Sequence, residues 1–174
     1  TLRVIPFPFQ KADQPTGVEI FHGAHGKLET KSPVRTFVPY KMNGAEYLVA
    51  AYTCTPLVRL PIADLKPGAK IKGTTIAELG SGNRPLDMVV YSKAGKDYVL
   101  IANSKHGVIK LPVADFSSAA AITERPKAQP AGVKYDKITE LKDVVQLDKL
   151  DDGRVLLLIQ PTGGNASLKT APLP

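Results

Sequence analysis

The sequence predicts an all-β chain built from repeated four-stranded antiparallel units. Two observations lead there. The phrase "LVRLPIADL" (Leu57 to Leu65) returns as "VIKLPVADF" (Val108 to Phe116), fifty-one residues later. Between and around these phrases, short β-rich apolar runs alternate with tight-turn signals, and no run carries a long helical period.

The elements follow in order. At the N-terminus, "LRVIPFPF" matches "VRLPIADL" through Ile5-Pro6 and Leu60-Pro61, so it is expected to be the tail of an earlier unit. The stretch from Arg35 to Leu65 then aligns without a gap on Leu86 to Phe116. Tyr40 meets Tyr91, Gly44 meets Gly95, Tyr47 meets Tyr98, Pro61 meets Pro112 and Asp64 meets Asp115. A fixed period near 50 residues is the signature of a repeat architecture.

Within a unit, "TFVPY" and "DMVVYS" read as first strands. Asn43-Gly44, Ala94 to Asp97 and Asp151 to Gly153 are hairpin-turn signals. "EYLVAAYT", "DYVLIANS" and "RVLLLIQP" are near-continuous apolar strands, as expected when both faces are buried. "LVRLPI" and "VIKLPV" form third strands whose prolines suit an irregular or outward site. "GTTIAELG" and "KITEL" are fourth strands. The Ala-rich "SSAAAITERPKAQPAGVKY" contains Pro126 and Pro130 and reads as an extended connection. A weaker third copy, "VVQLDKLDDGRVLLLIQPTGGNASLK", closes the chain.

Four antiparallel strands repeating at this interval is the blade pattern of a β-propeller. The boundaries read as 1–33, the end of one blade; 34–84, a full blade; 85–141, a full blade with the Ala/Pro-rich insertion; and 142–174, the start of the next. With about three blades' worth of sequence, the chain is expected to be part of a larger ring, completed by further blades or by a second chain. The approach to an inner strand, "ELGSGNRPLDMVVY" (Glu78 to Tyr91), followed by "KDYVLIANS", resembles propellers of the broad NHL and YVTN type. That resemblance implies the fold and carries no family-specific functional motif.

Composition narrows the function classes. The 174 residues are 43% hydrophobic and 22% charged, enough apolar content for a packed core. No apolar run reaches the roughly 18–20 residues that span a bilayer, and "TLRVIPFPFQ" lacks the ordered regions of a signal peptide. The net charge is +7, but the basic residues are scattered and no basic-aromatic cluster is present, which favours a solvated surface over nucleic-acid binding. The single cysteine, Cys54, excludes a disulfide within the chain. A periplasmic or secreted location is the expectation for the compartment.

In a propeller, the loops entering inner strands and those between second and third strands share one face. Here that face collects Phe21 to Arg35, Gly80 to Pro85, Thr53 to Pro56 and Asn103 to Gly107, so all three histidines and the cysteine fall in it. His22, His25, Cys54 and His106 suit zinc or copper in kind. Arg35, Asn83, Arg84, Asn103 and Lys105 are the candidates for binding a small ligand. "GSGNRP" offers backbone N–H groups and Arg84 to an anion but lacks the lysine and helix of a phosphate loop. "DKLDDG" has the acids of a calcium loop without its twelve-residue pattern and reads as a hairpin turn. No hydrolase elbow, zinc-protease helix or dinucleotide fingerprint occurs. Two function classes follow: a loop face that binds a partner protein or small ligand, and the propeller part of a metal- or redox-cofactor-dependent enzyme with His and Cys at the channel mouth.

Overall fold

The computed structural model of the chain describes residues 2–5, 7–8 and 14–174. In chain order the strands are β1 (Gly17–His22), β2 (Lys27–Glu29), β3 (Val34–Met42), β4 (Ala45–Tyr52), β5 (Pro56–Pro61), β6 (Lys70–Lys72) and β7 (Thr74–Glu78). Then come β8 (Pro85–Lys93), β9 (Lys96–Asn103), β10 (Gly107–Pro112), the five-residue helix α1 (Ala114–Ser118), β11 (Ala131–Gly132) and β12 (Asp136–Ile138). The chain ends with β13 (Val144–Lys149), β14 (Arg154–Ile159) and β15 (Ser167–Pro172). The fold is all-β. Among the described residues no helix is long and apolar enough to cross a membrane.

The strands form four sheets, ordered β2-β1-β6, β11-β7-β5-β4-β3, β12-β10-β9-β8 and β13-β14-β15. Every strand pair is antiparallel except β1 with β6. The β3–β4 hairpin turns on Asn43-Gly44 and the β8–β9 hairpin on Ala94-Gly95, with positive φ at all four residues. That is the primed turn whose twist matches the flanking strands.

The two central sheets share the register and the bulge of their first hairpins. Tyr40 pairs with Tyr47 and Tyr47 with Pro61; Tyr91 pairs with Tyr98 and Tyr98 with Pro112. A bulge falls between Val34 and Thr36 in one and between Pro85 and Asp87 in the other. Thr53 N–H donates to the Pro33 carbonyl, and Ser104 N–H to the Arg84 carbonyl. Each pair of positions is related by the same fifty-one-residue shift.

Burial explains the apolar runs. Leu48, Ala50, Tyr52, Val58 and Leu60 face the first sheet, packing with Val18 and Ile20. Their counterparts Val99, Ile101, Ile109 and Leu111 face back toward the second sheet, packing with Val49, Ala51 and Leu57. Leu100, Ala102 and Val108 in turn pack on Val155 and Leu157 of the fourth sheet. Central strands bury both faces, so the sheets stack face to face in chain order. At the far end Leu156 and Leu158 are only partly covered and Leu168 is 66% exposed.

Three readings need correction. The second sheet has five strands, not four. The Ala/Pro-rich connection leaves the third sheet, bonds Ile122 N–H to the Thr75 carbonyl, and adds β11 to the edge of β7. Gly132 permits that approach: its φ is +78°, and a Cβ there would lie 2.2 Å from the Ile76 carbonyl oxygen. Second, Phe21 to Arg35 is not all loop, since β2 folds back on β1 within it. Third, "LRVIPFPF" forms no strand among the described residues. Leu2 makes only an isolated bridge to Thr16, and Pro6 and Phe9 lie outside the described residues.

Candidate metal centre

The alternation of β1 turns Val18, Ile20 and His22 inward, so His22 ends the strand buried, 2% exposed. The chain then turns tightly. His25 N–H and Gly26 N–H both donate to the His22 carbonyl, at 3.0 and 2.8 Å. This brings His25 back over His22, with ring centroids 3.7 Å apart and planes tilted by 32°. The turn is held from below by Glu78, fully buried at the end of β7. Its carboxylate accepts from Gly23 N–H at 2.7 Å and Ala24 N–H at 3.3 Å.

Glu29 on β2 reaches both histidines. Its oxygens lie 3.0 Å from His22 Nδ1 and 2.7 Å from His25 Nδ1; Ser32 Oγ donates to the same carboxylate, and Lys27 Nζ stands 3.8 Å away. Burial pushes the Glu29 carboxyl up, but hydrogen bonds from Ser32, His25 and His22, and attraction to His22, outweigh it and bring it down to about 2. An ionised carboxylate only accepts, so both Nδ1 atoms carry protons. A metal ion would then use the Nε2 of each ring in its neutral form. The Nε2 of His22 sits 3.2 Å from the hydroxyl of the buried Thr55.

Cys54 arrives from the turn between β4 and β5. Its φ is +78°, uncommon for a residue with a side chain, and its N–H donates to the Asn83 carbonyl at 3.1 Å. One ring nitrogen of His22, one of His25 and the Cys54 sulfur all lie within 4.8 Å of one another. They border a cleft of about 420 Å³ rimmed by Lys27, Lys31, Pro33 and Thr53.

His106 does not join them. It sits in the turn between β9 and β10 against Gly80, where a Cβ would come within 2.7 Å of its Nε2. That nitrogen is buried, and burial, with Lys137 and Lys105 nearby, outweighs a backbone hydrogen bond at Gly80 and holds the His106 pKa down. The reason is register: His106 corresponds to Thr55, one residue beyond Cys54 and one unit further along the stack.

The other candidates separate. Asn83 and Asn103 are buried and bond each other at 2.7 Å; Asn103 also donates to the carbonyls of Ile101 and Gly107. Lys105 N–H donates to the Asn83 side chain, and Arg84 N–H to Ser104 Oγ. This cluster ties the Cys54 turn to the next unit through Asn83. Arg35 lies exposed at the start of β3.

Glu29, Ser32, Thr55 and Glu78 were not singled out from the sequence. Reading "FHGAHGKLE" as a hairpin would have found Glu29, because pairing His22 with Lys27 sets Ile20 opposite Glu29. Compared with known proteins, the chain matches no family model, no curated protein and no solved structure.

Proposed function

We propose that this chain is part of a propeller-type domain whose loop face binds a transition-metal ion through His22, His25 and Cys54. One observation carries the metal reading: three borderline or soft donors meet within 4.8 Å. Donors on a single ion at about 2.0–2.3 Å are about 3.3–3.8 Å from each other, so the set needs to contract by about 1 Å. His25 is 47% exposed, which leaves it room for that movement. Glu29 behind both imidazoles supplies the carboxylate–histidine support that metal-bound histidines use. The propeller reading is supported by the matched register, bulges and face-to-face packing of the two central sheets. The cleft beside the donors leaves space for a small ligand on the ion.

The test is metal analysis of tag-free protein, followed by titration of the stripped protein with zinc and copper. One tightly held ion per chain is expected, lost in His25→Ala. Metal-free protein that takes up neither ion would end this reading.

A further inference from the structure

Resting on the metal reading, we propose that the ion is copper, held in a three-coordinate site by the Cys54 thiolate and the two histidines. Four features of the site point there.

The donor set is two imidazoles and one thiolate, a combination that protein copper sites use in trigonal geometry. For a given N/S site the divalent affinities also peak at copper, above zinc.

Among the described residues, no fourth His, Cys, Asp or Glu joins the group. Glu29 is the obvious candidate, but its two oxygens already accept from the Nδ1 atoms, at 3.0 and 2.7 Å. It therefore supports the ligands from behind. A structural zinc site closes with four protein ligands, so three donors beside an open cleft exclude that type and leave a three-ligand zinc site with an open position as the competitor, which zinc displacement separates from copper.

The donors are also held. His22 is 2% exposed and held through its Nδ1 by Glu29, and the ion takes the place of the Thr55 hydroxyl at its Nε2. Cys54 is fixed by its positive-φ turn and its bond to Asn83. These anchors belong to different sheets, so the site resists rearrangement to the square-planar geometry that an unconstrained copper(II) prefers.

Finally, the site is accessible. The cleft of about 420 Å³ reaches the donors directly, so an ion can enter without unfolding either sheet.

The experiment uses the tag-free, metal-stripped chain with reduced Cys54. One equivalent of copper(II) is added to the apo protein and, separately, to protein preloaded with one equivalent of zinc. Visible absorption follows the thiolate-to-copper charge-transfer band, and mass spectrometry of the desalted protein follows displaced zinc. The expected result is one copper per chain, the band in both samples and release of zinc. Cys54→Ser should abolish the band, and His25→Ala, at an exposed position that leaves the fold intact, should weaken copper binding at least tenfold. One zinc per chain that copper does not displace, or copper bound without the thiolate band, would overturn the copper assignment and leave the metal reading standing. Uptake of neither ion would overturn both. Copper affinity unchanged in both Cys54→Ser and His25→Ala would mean adventitious chelation and would also overturn the assignment.

Discussion

Glu78 is the residue through which the second sheet controls the His22–His25 turn, and its replacement by Gln gives a quantitative check. The carboxylate is fully buried and accepts from Gly23 N–H at 2.7 Å and Ala24 N–H at 3.3 Å. A hydrogen bond to a charged group contributes about 1.5–3 kcal/mol, and a buried donor left unpaired costs about 1–3 kcal/mol. Gln keeps one acceptor, which takes the shorter bond. Its amide N–H₂ then faces Ala24 N–H and replaces the second bond with repulsion. Relief of carboxylate desolvation offsets part of that loss. We expect Glu78→Gln to lose about 1–2 kcal/mol, and Glu78→Ala, which strands both donors and opens a cavity, about 3–5 kcal/mol. At this chain length, about 1–2 kcal/mol corresponds to a Tm drop of about 2–8 °C. Urea unfolding measures the loss, and titration of the metal-stripped variant should show weaker ion binding because His25 is no longer held over His22. Wild-type stability together with wild-type metal affinity in Glu78→Gln would refute the reasoning. It would mean the bonds from His25 and Gly26 to the His22 carbonyl hold the turn unaided.

Glu29→Gln should lower metal affinity by about 10–100-fold, the usual cost of losing a carboxylate behind a ligating histidine; unchanged affinity in a metal titration would remove Glu29 from the site. His22→Leu removes a donor to the ionised Glu29 and leaves the Thr55 hydroxyl unpaired, partly offset by added apolar burial, and should cost about 1–3 kcal/mol while metal binding is lost; retained binding would exclude His22 as a ligand. Gly132→Ala combines a positive φ with a Cβ 2.2 Å from the Ile76 carbonyl and should cost about 3 kcal/mol in urea unfolding; a loss below about 1 kcal/mol would mean the β11 strap shifts freely. Tyr40 joins the second sheet to Asp97 on the third, and the Asp97 hydrogen bond, with burial and the Asp97 charge, pushes its pKa up to about 12. A raised folded pKa gives stability that is full below the unfolded value near 10 and lost as pH climbs toward 12. Tyr40→Phe should therefore flatten the alkaline fall in stability measured between about pH 10 and pH 12; an identical slope would refute the link.

The strands were legible because their signals are local. Asn43-Gly44 and the Ala94-Gly95 turn announce hairpins, and "YLVAAY" and "YVLIAN" announce strands buried on both faces. The sequence placed His22, His25, Cys54 and His106 in neighbouring loops without showing that they meet; the structure brings the first three within 4.8 Å and leaves His106 apart. What could not be read locally is β11, whose two residues, Ala131 and Gly132, carry no strand pattern and pair only because the connection crosses to β7. Glu78 was equally hidden. It ends an apolar strand fifty-five residues from Gly23, and only the stacking of sheets places its carboxylate under the His22–His25 turn.

His22 also sets the first sheet apart from the second. It ends β1 and is followed by Gly23; in the next unit Leu79 follows β7 and is followed by Gly80. Both side chains are buried, at 2% and 0% exposure. Both glycines admit a close side chain: the Glu78 carboxylate would lie 2.8 Å from a Gly23 Cβ, and His106 Nε2 would lie 2.7 Å from a Gly80 Cβ. The two positions are alike in burial and in the glycine that follows, and the Leu79 position is filled by apolar packing. Where the first unit uses a histidine, the chain must supply Glu29, Ser32 and Thr55 to satisfy it and its carboxylate. Buried polar groups are costly unless fully hydrogen-bonded, and a core position that apolar packing can fill gains little stability from them. Departures from local consistency concentrate at functional positions. The proposed metal site would give this polar group its reason, beside His25 and Cys54, and the second sheet, with Leu79 at the comparable place, has no equivalent donor there.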